Sequence, residues 1–217
     1  MRKAALLLIT LIVAVRASAQ TRIVVQFGKT NATITGITPG GRAVLFGVGL
    51  KPVGEYTSTF RWAGSGEDTD HDGKVVIDIG QDIPGPTIWC AADAATAEFA
   101  LLTSVGRPFS PLRLRPNAFR GAGNAVTQFA FDHSFVDLLY LEPGQGTWTC
   151  SESDGSKTDN DGPNGVTVLS IGRCKPIDPT GGPPSAFHPG GVAVAIDMFR
   201  LEAVAVRLTP SLLGDTP

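Results

Sequence analysis

"IWCAADAATAEFALL", residues 88–102, holds the pattern on which the fold turns. Two apolar runs flank a short polar knot containing Asp93, Thr96 and Glu98. Each run is too short for a stable helix and suits a buried strand. Pro84-Gly85-Pro86, just before it, cannot continue a central strand. Asp93–Phe99 therefore reads as the connection of a hairpin. The same layout returns near the far end as "AVAIDMFRLEAVAV", residues 193–206. Setting Asp93 on Asp197 places Glu98 on Glu202, with apolar runs on both sides.

Other landmarks repeat in the same order. "TDHDG" (69–73) matches "TDNDG" (158–162), after Trp62 and Trp148 respectively. Each word precedes an apolar run ending in Ile-Gly, at Ile79-Gly80 and Ile171-Gly172. An ordered set of shared landmarks predicts duplication of one module of roughly 80–100 residues.

Further strands are expected at Ile23–Phe27, Ala32–Ile37, Ala43–Val48, Tyr56–Trp62, Val75–Ile79, Thr87–Ala92 and Glu98–Thr103. Pro39-Gly40-Gly41 and Pro52-Val53-Gly54 are read as breaks between them. The composition is rich in Gly, Val and Thr, and the mature chain shows no sustained helical repeat, so the fold class is all-β. About seven short strands in each half predict two tandem immunoglobulin-like β-sandwich modules. Module 1 is expected over 20–104, a linker over 105–116, module 2 over 117–210 and a tail over 211–217. One larger sandwich or barrel is the alternative architecture. "KPIDPTGGPPSAFHPGG" (175–191) predicts a long mobile loop inserted in the second module.

The first residues have the form of a secretory signal peptide. Arg2 and Lys3 precede an apolar run, and Ala17-Ser18-Ala19 supplies a small-x-small cleavage pattern. The run is short for a membrane anchor, so a mature chain from Gln20 without a transmembrane segment is expected. The expected location is secreted or periplasmic, in a chain of bacterial style. The formal net charge of −2 would become −5 on losing Arg2, Lys3 and Arg16. Dispersed acidity without clustered Lys and Arg gives no footprint for nucleic acid.

"DTDHDGKVVIDIG" (68–80) carries the clearest chemical signal. Alternate acidic residues in a tight turn aim their carboxylates at one point, and a hard cation such as calcium collects six to eight oxygens. The stretch resembles the calcium loops of dockerins, thrombospondin type 3 repeats and EF-hands. The resemblance puts Asp68, Asp70, Asp72 and Gly73 at positions 1, 3, 5 and 6, with the Lys74 backbone carbonyl at position 7. It covers about ten residues of the chain and describes a loop, not a family. Position 12, the closing bidentate carboxylate of an EF-hand, is Ile79, and Asp78 stands one place early. Glu67 or a remote residue would have to complete the shell. In the second word Asp159 and Asp161 fill positions 3 and 5, but Lys157 stands at position 1; Asp154 or Glu152 are the available substitutes. Any calcium here is expected to be structural and weakly held, as in extracellular modules.

Cys150 and Cys174 bracket the second acidic word, and a disulfide between them is expected if their strands are neighbours. Cys90 aligns with Val194 and reads as a buried, unpaired small hydrophobe. His71, His133 and His188 are the only histidines, and no nucleophile elbow or zinc motif accompanies them. Asp132-His133-Ser134 are adjacent, so on a strand they face alternate ways and build no triad. The chain reads as non-enzymatic. Trp62, Trp89 and Trp148 are expected in the cores rather than on a sugar-stacking platform. The functional expectation is a secreted binding or structural module whose partner is a protein or glycan at the cell surface. The alternatives are a secreted hydrolase with a dispersed acidic site and a subunit of a surface filament or layer.

Overall fold

The structure is a computed structural model that describes residues 22–53, 56–82, 86–103, 119–122, 125–129, 135–157, 162–177, 182, 184 and 186–214. Among these residues there are fifteen strands, two short 3-10 turns and no α-helix. The linker expected over 105–116 and the triplet Asp132-His133-Ser134 lie outside the described residues.

In the first half, β1 (Val24–Phe27), β2 (Asn31–Thr35) and β5 (Lys74–Asp78) form one sheet in the order β1-β2-β5. The second sheet joins β3 (Arg42–Val53), β4 (Tyr56–Glu67), β6 (Thr87–Asp93) and β7 (Phe99–Thr103) in the order β4-β3-β6-β7. In the second half, β8 (Phe119–Ala122), β9 (Ala125–Phe129) and β12 (Val166–Ser170) give the order β12-β9-β8. The remaining strands are β10 (Phe135–Glu142), β11 (Gly146–Ser153), β13 (Lys175–Pro176), β14 (Val192–Asp197) and β15 (Glu202–Arg207), ordered β13-β11-β10-β14-β15. All pairings are antiparallel. Read strand for strand, the halves have the same order in both sheets, with β13 the one addition. Among the described residues every sheet is open at its edges, so none is a barrel.

Side chains alternate across a strand, and here they sort into three cores. Ile34, Leu45, Ile77, Trp89 and Leu102 fill the first sandwich. Leu138, Tyr140, Trp148, Leu169 and Phe187 fill the second. Between the sandwiches lies a third core, in which Phe46, Val48, Ile88 and Cys90 meet Leu139, Leu141, Val194 and Ile196. This third core explains the unbroken apolar runs of β6 and β14. Both strands are buried along their whole length because both of their faces pack on protein. Cys90 and Val194 hold equivalent places and both belong to it.

The hairpin read from residues 88–102 forms as expected. The Asp93 carboxylate accepts hydrogen bonds from the Ala95 N–H (3.0 Å), the Thr38 N–H (3.1 Å) and the Thr96 hydroxyl (3.1 Å). Asp197 accepts from the Phe199 N–H at 2.9 Å in the matching turn. Ala97 and Leu201, each four residues after its aspartate, share positive φ values of 53° and 52°.

Two expectations change. β3 continues through Pro52 to Val53 instead of breaking there. Its ladder pairing with β6 ends at Gly49, so among the described residues Pro52 pairs with β4 alone, where a missing N–H is tolerated. The described part of the segment 175–191 is tied down rather than loose. Phe187 is buried edge-on against Tyr140, the Trp148 indole N–H donates to the Gly182 carbonyl at 2.8 Å, and the His188 N–H donates to the Tyr140 hydroxyl at 2.9 Å.

Candidate metal site

The β4–β5 connection places the Asp68, Asp70 and Asp72 carboxylates within 4.8 Å of one another. Asp68 directly follows β4 and is buried, whereas Asp70 and Asp72 are exposed. One Asp68 oxygen accepts the N–H groups of Gly40 (2.9 Å) and Gly73 (2.8 Å), and the other accepts that of Asp72 (3.2 Å). Asp72 in turn accepts the Lys74 N–H at 2.8 Å. Burial acts to raise the Asp68 carboxyl, but these backbone donors, together with a hydrogen bond from the Asp70 side chain, outweigh it and hold the group below its ordinary value. The tight bend uses His71 and Gly73 in left-handed geometry, with φ of 63° and 76°.

Gly36 donates to the Gly73 carbonyl at 3.0 Å, so the next pair in the antiparallel ladder, Thr35 with Lys74, is of the non-bonded kind. Lys74 therefore turns its peptide groups to the open edge of β5. Three carboxylates could hold a metal ion, with water making up the shell. No further carboxylate of this stretch joins them. Ile79 is a core residue of the first sandwich, Asp78 caps its own turn through the Gly80 N–H at 2.8 Å, and Glu67 is paired with Arg42.

The second loop differs from its sequence match. Asp159 and Asp161 lie outside the described residues. The structural counterpart of Asp68 is Asp154, which accepts the N–H groups of Asn164 (3.2 Å) and Gly165 (3.1 Å). Asn164 accepts the Val166 N–H at 2.7 Å, as Asp72 accepts that of Lys74. Asn164-Gly165 thus stands where the first loop has Asp72-Gly73, and the pairing of "TDNDG" with "TDHDG" is displaced by three residues. A spacing held the signal: Trp62 to Asp68 and Trp148 to Asp154 are both six residues. Glu152 is engaged with Arg173 at 2.5 Å rather than with this turn.

Cys150 and Cys174 are joined. The strand beside β11 is not β12, which belongs to another sheet, but β13, and the bridge stands next in register to the Thr149–Lys175 pair of β11 and β13. The bridge thus ties β11 to the chain just beyond β12. Cys90 is buried and free, and burial raises its thiol well above the usual range. Trp89 and Trp148 are buried in the two sandwiches, and Trp62 packs half-buried against the first core.

Beside the aspartate loop, the halves leave a recess of about 540 Å³, with Gly40, Arg42, Glu67 and His71 on one side and Gly144 and Gln145 on the other. The Gly144 N–H donates to the Ala94 carbonyl at 3.0 Å across this junction. Among the described residues no helix is long and apolar enough to cross a membrane. No protein-family model, curated protein or solved structure matches this chain.

Proposed function

We propose that the chain is an exported, non-enzymatic binding or structural module. It consists of two duplicated immunoglobulin-like sandwiches, with the β4–β5 loop of the first fastened by calcium. The convergence of Asp68, Asp70 and Asp72 around a point at the rim of a rigid sheet carries this reading. Duplication is supported by the shared strand order and by the matched Asp93 and Asp197 turns. Export is supported by the disulfide, which persists in oxidising compartments, and by the signal-like N-terminus. Calcium here would stiffen the wall of the junction recess, to which this reading assigns the docking of a surface protein or glycan.

The test is a thermal melt of the mature chain with millimolar calcium and with chelator. Wild type is expected to gain several degrees with calcium, and Asp70→Ala, an exposed position, to lose that gain while melting normally without metal. An equal midpoint for wild type in both conditions would remove the calcium reading.

A further inference from the structure

We propose that Asp137 and Arg61 form a proton-sensitive clasp between the two sandwiches, in which protonation of Asp137 tightens the junction and ionisation loosens it. Asp137 lies on β10 between Val136 and Leu138, and alternation turns it with Leu139 and Leu141 toward the third core. It is completely buried. Arg61 reaches it from β4, where its ladder partner is Val48 of the same core. The guanidinium Nη1 lies 3.3 Å from Oδ1 of Asp137. That guanidinium is also spent on β11, donating to the Ser151 hydroxyl at 2.7 Å and to that of Thr149 at 2.8 Å.

Neither Asp137 oxygen receives a hydrogen bond of good geometry. A buried carboxylate facing one cation and one hydroxyl already spent on that cation is poorly compensated when charged. The other surroundings do not help. β14 sets Ile196 beside it and Val194 further along, and β3 brings Val48 and Phe46. β6 contributes Ile88 and the Cys90 thiol, which burial keeps protonated. β11 offers only the hydroxyls of Ser151 and Thr149. Asp197 of β14 pairs with Val136, on the opposite face, and binds Arg200 at 3.1 Å.

Burial accordingly pushes the Asp137 carboxyl up to about 6, against the pull of Arg61 and of the Ser151 hydroxyl. An unfolded aspartate titrates near ~3.9. The closed junction therefore binds the extra proton between about pH 4 and pH 6. Its penalty is fully present above pH 6, shrinks as pH falls through 6, and is gone below about pH 4.

The experiment is hydrogen exchange on the mature chain at pH 7.5 and pH 4.5, comparing wild type with the near-isosteric Asp137→Asn at each pH. Between these pH values the wild-type opening equilibrium is expected to fall about 25-fold relative to the variant, with the change concentrated in β6 and β14 rather than in β2 and β5. Equal pH dependence in both proteins, or a change spread evenly over all four strands, overturns the proposal. Should Asp137→Asn not fold, Arg61→Met serves. Removing the cation must move the Asp137 carboxyl ¹³C titration midpoint upward, and an unmoved midpoint also overturns it.

Discussion

Leu139→Ala separates one stacked unit from two sandwiches that merely touch. Leu139 is fully buried on β10 and opposes Val194 of β14, both within the core between the halves. Its neighbour Leu138, equally buried, points the other way into the second sandwich. Truncating a core leucine removes its transfer free energy and leaves a cavity, for a loss of about 3 kcal/mol in total. A leucine at an exposed or loosely covered position loses about 0.5 kcal/mol or less. The assay is equilibrium urea unfolding followed by tryptophan fluorescence, with Leu138→Ala as the internal standard. Both variants should lose about 3 kcal/mol. If Leu138→Ala costs that much and Leu139→Ala less than about 1 kcal/mol, the third core is not a real one and the stacked architecture fails.

Two further outcomes are expected. Gly47→Ala should destabilise by about 1–3 kcal/mol and perturb near-ultraviolet circular dichroism, because a Cβ there would stand 2.3 Å from the buried Trp89 ring. An unchanged urea midpoint would show that the ring has room to shift. Replacing both Cys150 and Cys174 by Ala reopens a loop spanned by a sequence separation of 24, worth about 3 kcal/mol in the chain-entropy model. Reducing agent should lower the wild-type midpoint to that of the double variant and leave the variant where it is.

Legibility in the sequence followed the range of the interactions. The Asp93 and Asp197 hairpins could be read because turn chemistry and the flanking runs sit within a dozen residues. The Asp68–Asp72 cluster was legible for the same reason: its members alternate in one bend. The second loop was misaligned because inserted residues separate Asp154 from Asn164-Gly165, while a nearer five-letter word offered a false match. The Arg61–Asp137 contact gave no sequence signal. It depends on which face of β4 looks toward which sheet of the other half, a property of how layers stack. Likewise, the uninterrupted apolar character of β14 announced burial but not that a second sandwich supplies it. The anchoring of 175–191 was hidden because Phe187 is a lone aromatic in a run of prolines and glycines.

The shared middle layer bears on how such a chain can be inherited or re-engineered. Either half expressed by itself would present Phe46, Val48 and Ile88, or Leu139, Val194 and Ile196, as a bare greasy wall to water. Neither half is a portable cassette. Lengthening an array of such halves, or grafting one onto another scaffold, would succeed only in pairs.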